Sequence, residues 1–137
     1  MSDIDCALTQ VTELSEHGFS LAVDDFGTGH SSLARLTGLP VSKIKLDRLF
    51  ISRLAADDTS RVIVKGIINI AHELGISVVA EGVEDHFQTE ILCSYGCGYV
   101  QGFGILRPCP EEDLAVMLQN GLTTPGTNQE ATFEEYA

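Results

Sequence analysis

The chain has 137 residues, 44% of them hydrophobic and 20% charged, which suits one globular domain. Its formal net charge of −12 excludes broad electrostatic binding to a nucleic-acid polymer, whose phosphates require a concentrated basic surface. A small phosphate ligand held through metal ions remains compatible with that charge. The chain shows no signal-peptide pattern and no apolar run of membrane-spanning length, so a cytoplasmic location is expected.

Strand-like and helical segments alternate along the chain. Asp3 to His17 has Ile4, Leu8, Val11 and Leu14 at helical spacing and stops at Gly18. Phe19 to Val23 reads as a strand, and Ser31 to Leu36 as a short helix ending near Gly38 and Pro40. Lys43 to Leu46 is a second strand, followed by a helical turn over Arg48 to Leu54. Thr59 to Leu74 is the clearest helix, with Ile63, Ile67, Ile70 and Leu74 as its expected apolar stripe and Gly75 as its stop. Ile76 to Ala80 is apolar almost throughout, as suits a strand covered on both faces.

Asp85 to Tyr95 is helical and ends at Gly96; Gly98 to Gly102 is a fourth strand. Pro110 to Leu118 is a last helix, with acids in its first turn where the helix dipole favours them. Residues 1–120 therefore form one domain, and 121–137 an acidic tail expected to be disordered. The four successive strand–helix units imply an α/β fold with parallel strands. A closed barrel of such units takes roughly eight, so a partial, TIM-barrel-like arrangement or a small open parallel sheet is expected.

The chemistry concentrates at the carboxyl ends of the strands. Side chains along a strand alternate between its faces. Applied to each strand in turn, this puts the large aliphatics on one face and Asp24, Lys45, Glu81 and Gln101 on the other. Sites form at that end of parallel α/β folds. Polar groups converging there are costly to desolvate unless they are paired or bind a ligand. Two readings follow: an ion-pair network in which Lys45 bridges Asp24 and Glu81, or a ligand site. The adjacent acids Asp24 and Asp25, ahead of a loop with two glycines, are the oxygen donors a hard divalent ion prefers.

The four cysteines, Cys6, Cys93, Cys97 and Cys109, lack zinc-ligand spacing and are expected to be buried or semi-buried free thiols. His17, His72 and His86 have no partners at ligand spacing and read as surface or packing residues.

The stretches VDDFGTGHSSLARL, LPVSKIKLDRLF, VVAEGVED and GCGYVQGFGILRPCP resemble, in order and spacing, the second half of the EAL domain, from about Thr12 to Leu118. That family comprises bacterial signal-transduction phosphodiesterases that hydrolyse one phosphodiester of cyclic di-GMP to a linear dinucleotide, using magnesium or manganese. The resemblance implies a modified TIM-type barrel with its site at the carboxyl ends of the strands. It implies that Asp24, Asp25 and Glu81 bind metal, and that Lys45, Glu81 and Glu84 belong to the catalytic apparatus. Lys45 would help to hold the attacking water and Glu84 would support the site and its loop. Gln101 and Asp47 would contact substrate.

The loop from Phe26 to Ser32 resembles the family loop that links substrate binding to dimerisation, with His30 where an aromatic is usual. The Glu-Ala-Leu motif itself, and the asparagine and glutamate that the family draws from the next strands, are not among these residues. The expectation is a fragment of a longer protein or a shortened gene product. It would bind Mg2+ or Mn2+ weakly and turn over little as an isolated chain. Alternatively it is a non-catalytic module that binds cyclic di-GMP or a protein. Its open strand edges and apolar inner face would favour a homodimer or a complementary half-domain.

Overall fold

The computed structural model describes residues 3–27, 36 and 38–121, and the side chains from residue 8 onward within that set. The elements in order are α1 (Asp3–Glu16), β1 (Leu21–Phe26), β2 (Val41–Leu46), α2 (Arg48–Ser52), α3 (Asp58–Glu73), β3 (Ser77–Glu81), α4 (His86–Ser94), β4 (Tyr99–Gln101) and α5 (Glu111–Asn120). The four strands form one sheet in the order β1-β2-β3-β4, and every neighbouring pair is parallel. Each crossover therefore returns the chain to the same end of the sheet, and all four strands point their carboxyl ends the same way. Among the described residues β1 and β4 are the two edges.

The alternation read from the sequence holds across the middle of the sheet. Ile44, Leu46, Val78 and Ala80 are almost completely buried on the helix-covered face, while Lys45 and Glu81 on the opposite face are half-buried. The core joins that face to Ile51 and Leu54 around α2, Val64, Ile68 and Ala71 of α3, and Leu92 of α4.

Two expectations are corrected. The apolar stripe of α3 that enters the core is Val64, Ile68 and Ala71 with Ser60, whereas Ile63, Ile70 and Leu74 are each about two-fifths exposed or more. The helix carries apolar residues at two sets of helical spacing, and only docking onto the sheet selects between them. The first strand also runs later than expected, from Leu21 through Phe26, and leaves Phe19 exposed outside it. The two acids that read as the end of the strand lie within it. The expected Ser31 to Leu36 helix, nearly all of the Phe26 to Ser32 loop and the tail beyond Gly121 fall outside the described residues.

Helix starts are fixed by side chains. Asp57 caps α3, accepting from the backbone N–H groups of Thr59 (3.0 Å) and Ser60 (3.2 Å) and from the Ser60 hydroxyl at 2.5 Å. The Ser60 hydroxyl, ahead of the backbone donors, holds the Asp57 carboxyl below its ordinary value. Asp85 and Gln88 form a reciprocal capping box at the start of α4.

Candidate functional site

The first arm of the site is a bulge in β1. Val23 pairs with Ile44 and Phe26 with Leu46, so β1 uses one residue more than β2 over that interval. At the bulge Asp25 adopts a left-handed conformation, φ 48°, the only non-glycine residue to do so among those described. Aspartate tolerates that region better than most residues, yet it still costs on the order of 1 kcal/mol and must be held by its surroundings. The extra residue resets the alternation: Phe26 turns back into the core at 3% exposure beside Leu46, and both acids stay on the open side. Consecutive residues of a regular strand point to opposite faces. Without the bulge Asp24 and Asp25 could not serve one site.

The second arm is the end of β3. Lys45 pairs in register with Val79, so Glu81 stands two residues further along β3 on the same face. One carboxylate oxygen each from Asp24, Asp25 and Glu81 lie within 4.8 Å of one another. Lys45 reaches between them. Its Nζ donates to Asp24 Oδ1 at 2.9 Å and lies 2.6 Å from Glu81 Oε1.

The electrostatics follow from this geometry. The Glu81 carboxylate, then that of Asp24, holds the Lys45 ammonium well above the ordinary lysine value of 10.5. The Lys45 hydrogen bond, with a smaller contribution from the Asp25 backbone N–H (3.1 Å), lowers the Asp24 carboxyl below its ordinary 3.8. The expected ion-pair bridge and the expected acid cluster are thus one structure.

The donor set suits a hard divalent ion. Three converging carboxylate oxygens at the mouth of a parallel sheet are the ligand type that magnesium, manganese and calcium prefer. The ammonium already seated between two of them shows that the spot stabilises positive charge.

The other expected residues surround this centre. Gln101 ends β4 in register with Glu81, with an exposed side chain. Asp47 caps α2, its Oδ1 accepting from Leu49 N–H at 2.7 Å. Glu84 is exposed in the turn after Glu81, and its backbone N–H donates to Gln88 Oε1 at 2.7 Å. Gln101 also forms one wall of an open groove of about 350 Å³, shared with Phe103, Arg107 and Leu114.

Sequence reasoning missed Gln88. It is 5% exposed, and its amide spans three partners: Oε1 accepts from Glu84 and Asp85, and Nε2 donates to the Ile51 carbonyl at 3.3 Å. The signal was available as an acid at a helix start followed three residues later by glutamine.

The bland readings of the remaining polar residues fit their positions. His17, His72 and His86 are exposed. Cys93, Cys97 and Cys109 are free thiols; Cys97 and Cys109 are partly buried as expected, but Cys93 is exposed, because its neighbour Leu92 takes the buried position on α4. Burial pushes the Cys97 thiol up, and its Sγ donates to the Tyr99 carbonyl at 3.2 Å. No helix among the described residues is long and apolar enough to cross a membrane.

Comparison with known proteins bears on the family and the fold. MucR of Pseudomonas aeruginosa, a bifunctional diguanylate cyclase/cyclic di-GMP phosphodiesterase, is 45% identical over 114 residues, covering 83% of this chain and 17% of MucR. The solved MucR phosphodiesterase in complex with c-di-GMP superposes with a TM-score of 0.75, covering 46% of that structure. The EAL domain of Mycobacterium smegmatis DcpA superposes with a TM-score of 0.81 at 36% identity, covering 90% of this chain and 55% of that one. Klebsiella pneumoniae BlrP1, solved as a manganese/c-di-GMP complex, gives a TM-score of 0.73 at 37% identity over 79% of this chain and 28% of its own.

The chain thus spans about half, or less, of the length of these relatives. These structural neighbours are TIM-barrel-like EAL domains, and the four parallel strands here correspond to part of such a barrel. The EAL domain profile matches residues 1–108, and with these relatives it places the chain in the EAL domain family.

Proposed function

We propose that this chain carries the second half of a metal-dependent cyclic di-GMP phosphodiesterase site. The observation that carries the reading is the convergence of Asp24, Asp25 and Glu81 around Lys45 at the carboxyl ends of β1, β2 and β3. Asp24, Asp25 and Glu81 would hold magnesium or manganese. A divalent ion bound there lowers the pKa of a bound water and neutralises charge on phosphoryl oxygens.

The chain's own residues do the rest. Lys45 stays protonated because two carboxylates surround it, so it acts as a fixed cation and hydrogen-bond donor rather than as a base. In that form it orients the attacking water and stabilises a developing oxyanion. Glu81 faces the same water. Gln101, at the end of the neighbouring strand, and Asp47 contact substrate, and Glu84 supports the turn that follows Glu81.

These residues alone do not complete the site, because the Glu-Ala-Leu glutamate, and the asparagine and glutamate that the family draws from the next strands, are not among them. The isolated polypeptide therefore binds metal weakly and turns over little. The test is a graft. Residues 1–118 replace the matching segment of the MucR phosphodiesterase domain, and cyclic di-GMP hydrolysis is followed with manganese. Turnover by the graft, lost on Asp24→Asn or Glu81→Gln, supports the reading. A folded graft that binds cyclic di-GMP without hydrolysing it would establish a non-catalytic binding module instead.

A further inference from the structure

Helix α2 stands behind the acid cluster and touches the chain just past both of its arms. After Asp25 comes Gly27, two residues on, at φ 103°. A Cβ placed on Gly27 would lie 2.5 Å from the edge of the Phe50 ring. After Glu81 comes Gly82 at φ 69°, where a Cβ would lie 2.5 Å from Arg48 Cβ. Two residues of one short helix thus press on the two glycines that follow the acids.

The helix can bear that load. Asp47 caps its first turn, Ile51 is fully buried, and the Gln88 amide ties the Ile51 carbonyl to the turn that carries Glu84. The bulge needs such support, since Asp25 occupies a conformation that its own sequence disfavours.

We propose that Phe50 is a positioning residue for the acid cluster. Its ring braces Gly27 and so holds the left-handed turn at Asp25 that keeps Asp24 and Asp25 on one side of β1. Arg48 sets Gly82, and with it Glu81, from the same helix, so α2 fixes the spacing between the two arms.

The inference rests on the reading of the cluster as a metal site, so the test includes a readout that needs no metal. Phe50→Ala and Phe50→Leu are compared with wild type and with Val64→Ala, a truncation of a fully buried core residue on α3 rather than α2. Manganese affinity is measured by water-proton relaxation. The Lys45 ammonium is followed by NMR for hydrogen-bond coupling to the Asp24 and Glu81 carboxylates.

Phe50→Ala should weaken manganese binding about tenfold and abolish the Lys45–Asp24 coupling while the Lys45–Glu81 coupling survives, since a displacement of order 1 Å is enough to spoil such a site. Phe50→Leu should recover most of both signals, and Val64→Ala should change neither. Unchanged couplings in Phe50→Ala, or equal losses in Val64→Ala, would overturn the proposal. If wild type binds no manganese, the metal reading fails on its own and the Lys45 couplings still decide the role of Phe50.

Discussion

Lys45 on β2 and Glu81 at the end of β3 lie 2.6 Å apart, and the same ammonium holds Asp24 on β1 at 2.9 Å, so one side chain ties three strands together at the mouth of the sheet. The ammonium sits where the acids would hold a metal ion. On the proposed reading, lysine and metal would compete for Asp24 and Glu81, with consequences for both binding and turnover.

Lys45→Met should raise manganese affinity. Removing a unit charge a few ångströms from the ion relieves repulsion worth about 1–4 kcal/mol, or on the order of tenfold or more in affinity. The same substitution in the MucR graft should abolish turnover, because the fixed donor is gone. Calorimetry and hydrolysis assays should thus move in opposite directions; a parallel fall in both would show that Lys45 supports the ion rather than competing with it.

Stability should be highest at intermediate pH, for reasons that differ at the two ends. Asp24 and Asp57 have folded values below their ordinary 3.8, so their contribution is complete above that value and is lost as the pH falls through the depressed ones. Lys45 has a folded value above its ordinary 10.5, so its contribution is complete below 10.5 and is lost as the pH rises through the raised one. Thermal melting across pH should show both limbs. Lys45→Met should flatten the alkaline limb and also shrink the acid limb, because Lys45 is the main cause of the lowered Asp24 value and only the Asp57 part is independent of it.

Gln88→Leu should destabilise the fold by about 2–4 kcal/mol. The change leaves the buried Ile51 carbonyl and the part-buried Glu84 N–H without their partners, and each orphaned group costs about 1–3 kcal/mol. Urea unfolding of the variant measures this directly; a loss below about 1 kcal/mol would mean that water replaces the amide.

Asp25→Gly should retain or slightly improve stability while removing manganese affinity. Glycine adopts φ 48° without a Cβ penalty, whereas the carboxylate is lost from the cluster. Asp25→Ala should be worse on both counts. If the alanine variant melts at or above the glycine variant, the left-handed turn is not under strain.

The isolated polypeptide should form a homodimer. Among the described residues β1 and β4 are the sheet's edges, Tyr99 is 53% exposed and the exposed Ala22 shares its face, whereas Val79 on that face is already buried, at 9% exposed. Unpaired edges and exposed apolar surface favour association, and two copies can pair symmetrically. A stable interface of this kind buries about 1,200 Å² or more. Light scattering at low micromolar concentration should return twice the chain mass; a monomer with cooperative unfolding would contradict it.

By itself, the sequence determined most of the described elements, though not the bounds of β1, together with their parallel order and the side of the sheet on which the polar residues lie. Those follow from local periodicity, and Ile44, Lys45, Leu46, Val78, Ala80 and Glu81 occupy the faces that alternation assigned. It also marked Asp24, Lys45, Glu81 and Gln101 as strand-end residues. Only the tertiary structure decided the rest. Alternation puts Asp24 and Asp25 on opposite faces, and the bulge that reunites them depends on the register against β2 and on a left-handed residue whose penalty is offset by neighbouring contacts. Which apolar stripe of α3 enters the core was settled by docking, because the helix carries two candidates at the same spacing. The contacts of α2 with Gly27 and Gly82 join residues far apart in the chain, and no local pattern encodes such a meeting.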